Sequence, residues 1–160
     1  MVRSSKKHRV AELLMASAAL LLGAGTTAAS APLVDRSTVH VERPFIDCPD
    51  FSTLGVWDIN HRLTLFVDSE GTPIRDIEQV NFSGRIVNTS TGAWVADSGA
   101  RIYFDTLAPD GSFLTTYAVE VRHSDYIHGA GRTDFQTGDF KGLDAFDSAN
   151  VDALCEALGG

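Results

Sequence analysis

Across residues 56–67 apolar and polar side chains alternate. Trp57, Ile59, His61, Leu63, Leu65 and Val67 share one parity, and Asp58, Asn60, Arg62 and Thr64 share the other with Phe66. A period of two excludes an amphipathic helix and describes a strand with one buried face. Asp68-Ser69-Glu70-Gly71 then supplies turn chemistry.

The same strand–turn unit recurs. Residues 74–88 carry Val80, Phe82, Gly84 and Ile86 on one face, and the changed spacing between Ile74 and Ile77 predicts a bulge or a late start of the strand there. Residues 78–92 set the register of the next strand. Ser90-Thr91-Gly92 reads as a three-residue hairpin loop with Gly92 in the left-handed region. That loop pairs Thr89 with Ala93, and hence Arg85 with Asp97 and Phe82 with Ala100. It turns Trp94, Ala96, Ser98, Ala100, Ile102 and Phe104 of the strand 94–106 inward. After Pro109-Asp110-Gly111, the strand 113–123 presents Phe113, Thr115, Tyr117, Val119, Val121 and His123 to the same interior, which requires an even loop length. A fifth strand over 126–136 is thinned by Gly129 and Gly131, and a short sixth ends near Leu143. Val151, Leu154, Cys155 and Leu158 come next at helical spacing and predict a helix over 149–158, stopped by Gly159 and Gly160.

Hairpins in succession make a meander, and strands of twelve residues span about 40 Å. A sheet this long must curl to hide its apolar face. The expected class is mainly β: an antiparallel meander closing into an up-and-down barrel or a strongly curved sheet, with one C-terminal helix. An immunoglobulin-like sandwich, with shorter strands and crossing connections, ranks second.

The chain of 160 residues reads as one domain over 45–160, preceded by a signal peptide over 1–30 and a flexible arm over 31–44. Lys6, Lys7 and Arg9 form a basic start, residues 13–24 a short apolar run, and Thr26-Thr27-Ala28-Ala29-Ser30 a small-residue tract. That is the pattern of a secretory leader, too short to span a bilayer comfortably. The expected location is therefore extracellular. Cys48 and Cys155 are the only cysteines, and in a secreted chain an even pair most simply forms one bridge.

The leader carries a net +3, so the chain's −8 becomes −11 in the remainder, nine Lys/Arg against twenty Asp/Glu. An acidic surface of this size argues against nucleic acid and anionic membranes as partners. A monomer is expected.

The cysteine before the first strand, Val80-Asn81-Phe82-Ser83-Gly84, Asn88-Thr89-Ser90-Thr91-Gly92, Ala130-Gly131-Arg132 and the closing Asp152-Ala153-Leu154-Cys155 resemble a group of small secreted actinobacterial-type β-rich proteins of unknown function. The resemblance implies a secreted β protein with a terminal disulfide. It brings no activity, substrate or catalytic residue with it.

Chemistry-bearing residues are few. There is no Gly-x-Ser-x-Gly elbow and no phosphate loop in strand-to-helix context. The spacings imply no cofactor and no metal site, and they mark no catalytic residue. The register sends Trp57, His61, Tyr117 and His123 inward as candidate ligand-binding residues. The expected function is a non-enzymatic binding module for a small apolar or aromatic ligand, or for an extracellular partner. The alternatives are a barrel-type isomerase or cyclase using an inward histidine, and a purely structural or interaction protein with a filled barrel.

Overall fold

The computed structural model describes residues 31–160; the expected leader over 1–30 lies outside them. Strands β1 (Leu33–Asp47), β2 (Ser52–Val67), β3 (Pro73–Asn88), β4 (Trp94–Leu107), β5 (Phe113–Ser124), β6 (His128–Asp134) and β7 (Phe140–Leu143) are followed by helix α1 (Ser148–Gly159). The seven strands form one antiparallel sheet in chain order, so each pairs only with its sequence neighbours.

The sheet does not close into the expected barrel; β1 and β7 remain its two edges. Strand length accounts for this. β1 has 15 residues and β7 only four, so the last strand cannot zip along the first. The apolar surface is instead covered at one end by α1. Asp147 caps the helix by accepting the Asn150 N–H at 2.9 Å. Leu154 and Leu158 are fully buried against Trp57, Ile86 and Ile127, with Phe45, Phe51, Ile59 and Phe82 around them. Each buried leucine contributes about 1.5–3 kcal/mol. The Cys48–Cys155 bridge ties the helix to the segment after β1. At the other end, Leu63, Leu65 and Leu107 make a second, smaller apolar cluster.

Residues 31–44 are not a loose arm. Positions 33–44 pair continuously with 65–54 of β2. Polar residues dominate there because an edge strand needs cover on one face only, and its β-branched Val34, Thr38, Val39 and Val41 suit the pleat.

Two turn designs are each used twice. Asp68–Thr72 and Ala108–Ser112 close in the same way, with Gly71 (φ 85°) and Gly111 (φ 78°) left-handed and a register shift in the adjoining ladder. The shift after Phe66, opposite Ile74, is the bulge expected there. The second design joins β3 to β4 and β6 to β7. Asn88 and Asp134 each accept the N–H groups of the second and third residues beyond them through a side-chain oxygen, and Gly92 and Gly138 return an N–H to the Asn88 and Asp134 carbonyls.

The second design corrects the expected register. The Asn88 N–H donates to the Ala93 carbonyl at 2.8 Å, so the loop holds four residues, 89–92, rather than three. Arg85 therefore faces Ala96, and Phe82 faces Gly99. A slip of one residue exchanges the faces of β4. Val95, Asp97, Arg101 and Tyr103 join the inner face with Trp57 and Phe82. Trp94, Ala96, Ser98, Ala100, Ile102 and Phe104 go outward. Because β5 pairs with β4 by the expected parity, Tyr117, Val119, Val121 and His123 go outward too.

Candidate functional site

The four residues expected to line one interior are split between two faces. Trp57 and His61 lie on the inner face; Tyr117 and His123 lie on the outer one. Trp57 is core. Its indole N–H donates to Asp97 Oδ2 at 2.7 Å, and Phe45 packs edge-on against it at 5.2 Å. Asp97 (2 % exposed) also accepts from Arg122 (6 % exposed), at 2.9 Å through Nε and 2.5 Å through the guanidinium tip. The Arg122 guanidinium lies over the rings of Phe45, Phe82 and Phe146, 4.9, 5.3 and 4.9 Å from their centroids. Both Asp97 oxygens and the Trp57 indole N–H are engaged within this unit, which makes it a structural knot.

His61 sits midway along the inner face and contacts Glu78 at 3.1 Å through Nδ1. In the same cross-strand row, two strands over, Arg101 pairs with Glu120 and donates to the Tyr103 hydroxyl at 3.0 Å. These paired groups form a polar belt between the two apolar clusters. His123 stands exposed on the outer face, where its carbonyl accepts from the Ser98 hydroxyl. The two histidines share no site, and among the described residues no cluster of three or more His, Cys, Asp or Glu could hold a metal ion.

The outer face holds a feature that none of the expected residues marked. Arg36 of β1 and Arg62 of β2 are direct cross-strand partners, and Gln79 of β3 is next in the same row. Like charges set directly opposite destabilise a sheet. Among the described residues, neither guanidinium has an ion-pair or hydrogen-bond partner. The pair borders a shallow depression of about 380 Å³ lined by Arg36, Thr38, Asn60, Arg62, Gln79 and Asn81, with Ser37 and His61. Thr38 donates to Asn60 Oδ1 at 2.8 Å, fixing that amide. Nearby carboxylates do not relieve the arginines. Asp58 engages His40 Nδ1 at 2.8 Å, and Glu42 lies 3.4 Å from His40 Nε2. The His40 pKa is raised above the ordinary histidine value by the Asp58 hydrogen bond first and the Glu42 one second.

Alternation on β2 already assigns Arg62 to the outer face. Arg36 was hidden because residues 31–44 look like a linker, so nothing in the sequence pairs the two arginines.

Comparison with known proteins adds nothing to this geometry: no family model, no curated protein and no solved structure matches the chain.

Proposed function

We propose that this is an exported, non-enzymatic binding module that takes a polar anionic ligand in the Arg36–Arg62 depression. One observation carries the reading. A chain with twenty acidic and nine basic residues beyond position 30 sets two arginines side by side and, among the described residues, gives neither a carboxylate. That arrangement costs folding free energy and is relieved when an anion arrives. Paired guanidiniums offer parallel N–H donors to a carboxylate or sulfate. Gln79, Asn60 and Asn81 beside them offer amide donors and acceptors for hydroxyl groups. The ligand class that uses both is an acidic sugar. The described residues contain no membrane-length apolar helix. The disulfide and the leader-like first thirty residues support export.

Titrating isotope-labelled protein with galacturonate is the direct test. The amide signals of Arg36, Arg62 and Gln79 are expected to shift, galactose at the same concentration to leave them in place, and Arg62→Gln to abolish the response. Equal responses to the acid and the neutral sugar, or shifts confined to the inner face, would refute the proposal.

A further inference from the structure

Resting on that reading, the register extends the site across the whole sheet. Following the cross-strand partners from Arg62 leads through Gln79, Ile102 and Val119 to Arg132 of β6 and Lys141 of β7. The outer face thus carries one transverse row with a basic pair at each end. Arg132 and Lys141 repeat the first pair's arrangement: direct cross-strand partners of like charge, with no carboxylate bound to either among the described residues. Asp134, next along β6, has an oxygen committed to the N–H groups of Gln136 and Thr137. Arg132 is held in place by stacking over the Tyr117 ring at 4.3 Å, and Tyr117 itself stacks on Phe104 at 4.7 Å.

The distribution of charge shows that this row is a property of the face. By register, Arg36, Arg62, Arg75, Arg85, Arg132 and Lys141 point outward, six of the nine basic residues beyond position 30. Of the twenty acids, the outer face takes Glu42, Asp47, Asp58 and Asp134; the others lie on the inner face, in turns or around α1. A surface of net charge +2 is thereby held within a region of net −11. Arg62 and Arg132 are four strand spacings apart, about 19 Å. The middle of the row, Ile102 and Val119, carries no charge.

We infer that the outer face binds an acidic polysaccharide lying across the strands, with Arg36–Arg62 as one subsite and Arg132–Lys141 as a second. The spacing selects this occupant. A polymer with isolated carboxylates on uncharged rings meets a basic pair, an apolar stretch and a second basic pair. A nucleic acid presents a phosphate at every step and would leave those over Ile102 and Val119 uncompensated, while the acidic remainder of the molecule repels it.

Oligomers that alternate glucuronate with an uncharged sugar (hyaluronate fragments of increasing length), measured by titration calorimetry on the oxidised protein, separate the two claims. A disaccharide, with its single carboxylate, reaches only one basic pair at a time. Affinity is expected to rise about a hundredfold once the oligomer spans both pairs, because the second contact is made at high local concentration. Arg132→Gln with Lys141→Gln should remove that rise, so that long fragments bind no tighter than short ones, while the fragment-induced amide shifts at Arg36 and Arg62 remain. Short and long oligomers binding with equal affinity per site would overturn the two-subsite inference while leaving the first subsite standing. Failure of every length to bind would overturn the underlying reading as well. Single-stranded DNA binding as tightly as the long oligomer would overturn the choice of polysaccharide.

Discussion

Replacing Asp97 by alanine tests the inner-face architecture at its most demanding point. The change removes both carboxylate oxygens that Arg122 binds and the acceptor of the Trp57 indole in one step. A buried charge left without its partner costs about 3–5 kcal/mol. An indole N–H left without an acceptor adds about 1–3 kcal/mol. The rings of Phe45, Phe82 and Phe146 over the guanidinium return about 1–2 kcal/mol. The expected net loss is about 4 kcal/mol, a large share of the ~5–15 kcal/mol that holds a domain of this size together. Urea unfolding of the oxidised protein measures it. Trp57 is buried and Trp94 is 59 % exposed, so in a Trp94→Phe background the emission reports the knot alone. The double variant Asp97→Ala with Arg122→Met removes the orphaned charge and is expected to recover most of the loss. A single variant that loses under about 1 kcal/mol, or a double variant no better than the single, would refute the argument that the cost lies in the stranded guanidinium.

The β3–β4 turn and the disulfide bridge give two further tests. Asn88→Ala deletes the acceptor for the Ser90 and Thr91 N–H groups and the donor to the Leu158 carbonyl at 3.0 Å; a loss of about 2–3 kcal/mol in urea unfolding is expected, with faster amide exchange at Ser90 and Thr91. Cys155→Ser opens a closure between residues 107 apart in sequence, which costs up to about 4.7 kcal/mol in the chain-entropy model. The melting temperature should fall while the β-sheet circular dichroism of the folded protein persists; an unchanged midpoint would refute a stabilising role for the bridge.

Strand positions were legible because the inner face of β2 and β3 repeats strictly every second residue, and α1 because Val151, Leu154, Cys155 and Leu158 repeat at helical spacing. The faces of β4 and β5 were not, and one side chain explains why. Ser90-Thr91-Gly92 is compatible with loops of three or four residues, and the choice is made by the Asn88 oxygen accepting from Ser90 and Thr91 and by its amide reaching Leu158, seventy residues away. A tertiary contact thus sets a local turn. Apolarity misled in the same place. Ala100, Ile102 and Phe104 look more like core than Asp97, Arg101 and Tyr103 do, yet the polar set is the one whose partners wait on the inner face. The candidate site was equally illegible, since Arg36 meets Arg62 only if residues 33–44 pair as a strand.

The bond between Cys48 and Cys155 also fixes how the molecule carries mechanical load. It joins the end of the first strand to the helix that comes after the last one, so everything between lies on a side branch of the covalent path. Tension applied on either side of the bridge passes through the sulfur atoms, bypassing six of the seven strands. About 350 Å of contour, taking ~3.3 Å per residue, stays out of reach until the bond is reduced. Under pull, β1 alone can be peeled, while β2 to β7 bear no force along the backbone. In the proposed role of holding a polymer outside the cell, that confines any forced extension to the first strand.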